Sequence, residues 1–158
     1  MQAVFIAVIA VAGTLLGAVV NGLFQQWQAG RGEEHARAER LSEDCLAAYL
    51  GFAQSIAEFR GAQLERWIAR RDHTRDSDEY RRARGEAHRT GGAARSGLLR
   101  VQLATEDEEL LGLAREALSL TFSVEKADDE HELNERTQHS RDTTDAFIAA
   151  AGRRLRQV

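Results

Sequence analysis

The sequence predicts an all-α protein in which a single N-terminal transmembrane helix precedes an elongated antiparallel bundle of three to four helices. Three observations support this fold class. Residues 3–24 carry polar side chains only at Thr14 and Asn21, and a membrane-spanning helix needs roughly 20 predominantly apolar residues. The 158 residues include no proline, the residue that breaks helices most strongly. Beyond residue 31, apolar side chains recur at steps of three and four, the spacing of one helix face.

The apolar run divides the chain into a membrane anchor with its interfacial segment, residues 1–30, and a helical-bundle domain, residues 31–158. A cleaved signal peptide is the alternative, but no Lys or Arg precedes the run and its length exceeds the about 7–15 residues of a signal core. The first arginines follow the run, at positions 31, 37 and 40. Because Lys and Arg concentrate on the cytoplasmic side of a membrane helix, we expect a single-pass cell-membrane protein with its N-terminus outside and its bundle in the cytoplasm.

One face of the predicted membrane helix consists of small residues and one amide. Gly13 and Gly17 stand four residues apart, and Asn21 follows at the same interval. Small residues let two helix backbones approach closely, and an asparagine in lipid can hydrogen-bond to a partner helix. The pattern is consistent with self-association through Gly13, Gly17 and Asn21, although glycine is also common in membrane helices that do not associate.

Four amphipathic segments follow the anchor. The first is predicted over residues 33–71 and the second over residues 77–104, where the adjacent glycines 91 and 92 are either held by packing or mark a local break. Between them, residues 70–77 should form a turn, with Asp76 or Ser77 as the next N-cap. A capping box at 105–108 should start the third helix with Thr105 as the N-cap. The fourth helix is predicted over about residues 129–157. Alternatively, the third and fourth helices form one continuous helix across residues 126–129.

The predicted core of the first segment is a heptad seam. Its positions are spaced by three or four residues, with a glutamine in one slot: Leu41, Cys45, Tyr49, Phe52, Ile56, Phe59, Gln63 and Trp67.

The sequence contains no recognisable catalytic, cofactor-binding or metal-binding constellation. The stretch His131-Glu132-Leu-Asn-Glu135 has Glu135 where a zinc-protease helix requires its second histidine. Asp128 and His131 have the spacing of one ligand pair of a di-iron bundle, but such sites require two pairs and further facing carboxylates. We therefore expect a non-enzymatic protein without a cofactor.

Charge is segregated along the bundle domain. Residues 101–135 contain eleven acidic residues against two basic ones, whereas residues 66–100 contain five acidic residues against ten arginines. One interpretation is that these charges pair across antiparallel helices. The other is that arginines at the first turn of the bundle contact an acidic partner or nucleic-acid phosphates; these candidates are Arg66, Arg70, Arg71, Arg75, Arg81, Arg82 and Arg84.

Two stretches resemble the KilB proteins of actinomycete conjugative plasmids and chromosomes. They are GTLLGAVVNGLFQQ in the apolar run and RLSEDCLAAYLGFAQSIAEFRGAQLERW in the first bundle helix. The resemblance implies a membrane-associated accessory protein in plasmid transfer or in spread between mycelial compartments. It assigns no role to any individual residue.

Taken with the anchor, these features predict a membrane-anchored scaffold or accessory protein in conjugative plasmid transfer. Its expected partners are the membrane, further copies of itself and proteins of the transfer apparatus. The alternative is a membrane-tethered module that binds nucleic acid or a regulator through the basic turn around residues 66–84. The net charge of −4 makes nucleic acid the less favoured partner.

Overall fold

The computed structural model describes residues 40–156, which form four α-helices. Helix α1 is described from residue 40 to residue 72, and it is followed by α2 (Asp78–Ala104), α3 (Glu108–Ser123) and α4 (Glu130–Leu155). The all-α class is confirmed for this part of the chain, in which no strand occurs. None of these helices is long and apolar enough to cross a membrane. The predicted membrane helix, with Gly13, Gly17 and Asn21, lies outside the described residues.

Consecutive helices run in opposite directions. The thiol of Cys45, near the start of the described part of α1, donates to the carbonyl oxygen of Ala104 at the end of α2, at 3.2 Å. Arg153 near the end of α4 reaches Glu109 near the start of α3, at 3.2 Å between nitrogen and oxygen. Short connections join the helices, as expected for antiparallel neighbours. The fold of this part is therefore an up-down-up-down bundle.

The seam predicted for α1 forms much of the core. Six of its members are buried, whereas Cys45 is half-buried and Leu41 is 63% exposed. The buried members are Tyr49, Phe52, Ile56, Phe59, Gln63 and Trp67. From α4, Phe147 enters between the rings of Tyr49 and Phe52 with edge-to-face geometry, at centroid distances of 6.1 and 5.1 Å. A second cluster lies nearer the α1–α2 turn and contains Trp67, Val124, Ala127 and Leu133.

Helix α2 continues without a break through Gly91 and Gly92, so packing holds this segment. A Cβ atom at Gly91 would lie 3.0 Å from Cε2 of Phe59, and one at Gly97 would lie 2.9 Å from the Ser55 hydroxyl. Glycine costs about 1 kcal/mol relative to alanine in a helix interior. At these two positions the absence of a side chain allows α1 and α2 to approach closely.

The start of α3 differs from the prediction. Asp107, not Thr105, is the N-cap, and its carboxylate accepts from the backbone N–H of Leu110 at 3.1 Å. The backbone of Thr105 instead caps the end of α2, while its hydroxyl accepts from the N–H of Asp107 at 3.1 Å. Thr105 therefore organises the connection, and the predicted capping box with Glu108 is wrong. Ser77, one of the two predicted caps of α2, does accept from the N–H of Tyr80 at 3.1 Å.

The connection between α3 and α4 is a real break rather than a continuous helix. Residues Val124–Lys126 form a 3₁₀ turn, and Ala127 then has extended ψ of 138°. The carbonyl oxygen of Ala127 accepts from Trp67 Nε1 and from the Arg70 guanidinium, each at 2.7 Å. These bonds fix the break against α1, and Asp129 caps α4 immediately afterwards.

Candidate functional site

The predicted arginine cluster lies at the end of the bundle where α1 turns into α2 and where α3 passes into α4. We call residues 66–84 the basic end. Here Arg66 lies 3.4 Å from Glu125, and Arg70 lies 3.9 Å from the same carboxylate. Arg71 pairs with Glu130 at the start of α4 and stacks over the Trp67 ring at 5.0 Å. These three arginines therefore join the basic and acidic segments of the sequence across the bundle.

The remaining four arginines of the cluster face solvent. Arg81 pairs with Asp78, and Arg82 lies 3.1 Å from Glu79, both within the first turns of α2. Exposed pairs of this kind contribute about 0.2–1 kcal/mol, so a ligand can compete for these side chains. Neither Arg75 nor Arg84 has an ion pair within residues 40–156. The structure thus divides the cluster into three members that bond to the α3–α4 end of the bundle and four that do not.

Hydrogen bonding shifts the pKa values of three charged groups: Arg71 and Asp72 at the basic end, and Glu132 in the first turn of α4. The Arg71 guanidinium lowers the pKa of Asp72 by donating to its carboxylate, and this bond together with that to Glu130 raises the pKa of Arg71. On the opposite helix, the backbone N–H of Asp128 and then Arg136 lower the pKa of Glu132. The lowered pKa values keep both carboxylates charged to a lower pH than is usual for their residue types.

A basic groove opens between α1, α2 and the end of α3. Its volume is about 890 Å³. Phe59 and Gln63 of α1 line it together with Phe122 of α3, and its charged or titratable side chains include one carboxylate, that of Glu125. The basic and titratable side chains that line it are Arg66, Arg81, Arg84, His88, Arg95 and Lys126. Three belong to the predicted cluster, whereas His88, Arg95 and Lys126 were not predicted as site residues.

One of these additional arginines has a defined position. The Arg95 guanidinium lies over the Phe122 ring, at 4.6 Å from its centroid. Phe122 in turn packs edge-to-face on Phe59, with centroids 4.6 Å apart. Aromatic packing therefore holds a positive charge at the side of the groove opposite α1.

An apolar groove lies near the other end of the bundle, between α1 and α4. Leu46, Leu50 and Ile148 line it and are each about half exposed, at 51%, 54% and 50%. Its volume is about 190 Å³. These three side chains make the groove a candidate docking surface.

No group of three or more His, Cys, Asp or Glu side chains that could hold a metal ion occurs between residues 40 and 156. His131 is exposed, and it faces Glu135 at 3.5 Å across one turn of α4.

The described residues thus define an antiparallel four-helix bundle with a basic groove at one end and an apolar groove near the other. The family model described as KilB plasmid transfer protein matches residues 46–155. The chain belongs to this family, which confirms the resemblance given by the sequence. The match covers nearly all of the bundle. No curated protein and no solved structure matches the chain.

Proposed function

We propose that this protein is a membrane-anchored, non-enzymatic scaffold that works in plasmid transfer. The family match over residues 46–155 carries the proposal, because it links the bundle itself to plasmid transfer. The apolar run at residues 3–24 would supply the anchor, and the arginines that follow it favour a cytoplasmic bundle. A scaffold needs surfaces for other chains, and the apolar groove and the basic end are the candidates.

A second copy of the chain is the occupant that we propose for the apolar groove. Near the groove, the described part of α1 carries the exposed Glu43 and Asp44, whereas the last turns of α4 carry the exposed Arg154 and Arg153, the latter paired with Glu109. In a two-fold dimer the same patch is used by both chains. With the two-fold axis along the groove, the acidic turns of one copy would face the basic turns of the other, and the exposed side chains of Leu46 and Leu50 would be buried between them.

Cysteine crosslinking tests this dimer. In a Cys45→Ala background, Leu50→Cys should yield a covalent dimer when membranes that contain the full chain are oxidised. The matched control is Leu103→Cys, because Leu103 is 89% exposed on α2 and lies outside the groove. We expect several times more dimer from Leu50→Cys, measured on non-reducing gels. Equal yields from the two variants would contradict a groove-mediated dimer.

Transfer-apparatus proteins are the partners that we propose for the basic end. The accessible side chains of Arg75 and Arg82 are complementary to an acidic protein surface. This complementarity of charge would make the interaction specific. Binding of nucleic acid or a regulator is the second candidate function, and the arginines without an ion pair in the described part favour it.

Crosslinking in native membranes, followed by mass spectrometry, distinguishes these functions. Purification of the crosslinked full-length protein should recover further copies of it together with transfer-apparatus proteins. The double variant Arg75→Glu and Arg82→Glu should lose most of the partner crosslinks, since it reverses two charges at the basic end. Arg100→Glu with Arg115→Glu makes the same charge change elsewhere and should retain them. Recovery of the protein alone from the unaltered chain would contradict the scaffold proposal, and recovery of DNA instead would favour the second function.

A further inference from the structure

We propose that the basic groove binds a nucleotide unit, either a free nucleotide or one nucleotide of a single DNA strand. This inference concerns a specific ligand pocket, goes beyond the scaffold function and does not depend on it. It rests on three properties of the groove: surplus positive charge, two buried polar atoms without partners, and a size suited to a small ligand with a flat ring.

The groove has more positive charge than the protein neutralises. Among its lining residues, Arg66 is paired with Glu125 and Arg81 with Asp78. Arg84, Arg95 and Lys126 have no ion pair within residues 40–156, and all three are exposed. Guanidinium groups bind phosphate through charge-assisted, often bidentate hydrogen bonds. A phosphate that entered here would therefore neutralise charges that the fold leaves open.

Two polar atoms in the groove lining lack hydrogen-bond partners, and they are of opposite kinds. Gln63 is 2% exposed, and its Nε2 lies 3.4 Å from the carbonyl oxygen of Phe122 and 3.5 Å from that of Thr121. These carbonyls orient the amide, so Oε1 is left as a buried acceptor without a donor. One turn further along α1, the buried Nε of Arg66 is a donor without an acceptor. Buried polar groups normally have partners, so an unpaired acceptor and donor in one groove require an explanation.

Both atoms are enclosed in the free protein, so each side chain would have to turn toward the groove to meet a ligand. After such a turn, one phosphate oxygen could accept from Arg66 Nε, and an exocyclic amine of the base or a sugar hydroxyl could donate to Gln63 Oε1. Phe122 is the half-buried aromatic side chain of the lining, and the Arg95 guanidinium that lies over its ring adds a flat cationic surface. Bases pack favourably on aromatic side chains, with cation–π contributions from arginine. Inorganic phosphate could make only the contacts to the basic side chains, because it has no base or sugar.

The size of the groove favours a nucleotide over duplex DNA. Small-molecule sites usually have volumes of about 300–1,000 Å³, and the groove has about 890 Å³. Proteins usually read a duplex by inserting an element into its groove, which a concave pocket cannot do. A single nucleotide, free or in a strand, can enter a concave site.

Two variants test the site without disturbing the core. At Gly85, which lines the groove, an added Cβ would have no heavy atom within 4 Å, so Gly85→Leu should fill the entrance without a clash. Arg84→Gln removes a charge that has no ion pair in the described part of the chain. The matched controls lie on the same helix outside the groove: Gly92→Leu, where a Cβ also has free space, and Arg100→Gln.

Binding is measured by titration calorimetry at low salt on the full chain in mild detergent. The probes are deoxycytidine monophosphate, a short oligodeoxycytidylate and inorganic phosphate. We expect saturable binding of both nucleotide probes, weakened about tenfold by Gly85→Leu and by Arg84→Gln, the scale of one lost charged hydrogen bond. The controls should stay within about twofold. If the oligonucleotide binds more tightly than the monophosphate, the ligand is a DNA strand. If the two bind equally tightly, the ligand is a free nucleotide.

Three results would overturn the proposal. They are the absence of saturable binding of either nucleotide probe, equal weakening by the groove variants and their controls, and binding of inorganic phosphate as tight as that of the nucleotide. Each is distinct from failure of the scaffold function, which is measured by crosslinking to protein partners.

Discussion

Replacing Phe147 by alanine is expected to destabilise the bundle by about 3–5 kcal/mol, the usual cost of deleting a buried phenylalanine ring. Phe147 is fully buried, and its ring contacts those of Tyr49 and Phe52. The side chain thereby connects α4 to α1 at the centre of the larger core cluster. The loss would combine less apolar burial, a cavity and two lost edge-to-face contacts.

Chemical denaturation of the full chain in detergent, followed by circular dichroism, measures this loss. Leu99→Ala is the matched control, because Leu99 is 59% exposed on α2 and lies outside both grooves. It should cost under about 1.5 kcal/mol, less than full burial of a leucine is worth. Similar losses from the two variants would show that Phe147 does not occupy the core.

Helical periodicity predicts most of the core of α1, where six of eight predicted positions are buried and Ala62 and Ala69 are buried in addition. In the third helix the same spacing predicts a seam at Leu110, Leu113, Ala117, Leu120 and Val124, of which Leu113 and Leu120 are only half-buried. It misses Leu111, Ala114 and Leu118, which are buried. A heptad seam assumes two-helix packing, whereas a helix that faces several neighbours buries a wider face. The neighbours of α3 become known only from the tertiary structure.

Hydrophobicity also fails on α2. Its apolar face is thin in the sequence, yet Thr90, Gly91 and Gly97 are buried there. Thr90 can be buried because its hydroxyl donates to the Glu86 carbonyl oxygen at 2.8 Å, within its own helix. The glycines are buried because α1 lies directly against them. Helix-propensity and hydrophobicity scales both score glycine and threonine poorly, so they do not predict a core helix here. Only the packing against α1 explains why α2 is part of the core.

The arginine-rich turn was predicted from the local density of arginines in the sequence. In the structure these arginines have different surroundings. Arg70 is held by the Ala127 carbonyl and Arg66 by Glu125, and both partners lie in the acidic half of the sequence. The groove adds Arg95, which helical spacing from Arg84 could have suggested since both lie on one face of α2. Lys126 comes from the α3–α4 break, and no local pattern relates it to α2.

Leucine at Gly97 should destabilise the bundle by about 3 kcal/mol, at the upper end of the usual cost of overpacking a core. A Cβ there would lie 3.2 Å from the Cα of Phe52 as well as 2.9 Å from the Ser55 hydroxyl. The Ser55 side chain also donates to the Phe52 carbonyl at 2.7 Å, which restricts its freedom to move away. Because a backbone atom is among the nearest neighbours, the two helices would have to separate to admit a leucine.

Gly92→Leu is the control for that measurement, since a Cβ at Gly92 has no heavy atom within 4 Å. It should stabilise the protein by up to about 1 kcal/mol through helix propensity alone. The two variants make the same chemical change five positions apart on α2, so their difference in unfolding free energy isolates the contact with α1. A difference near zero would mean that α1 and α2 do not approach closely at Gly97. A difference of about 4 kcal/mol would show that the glycines of α2, which weaken it as an isolated helix, set how closely α1 and α2 pack.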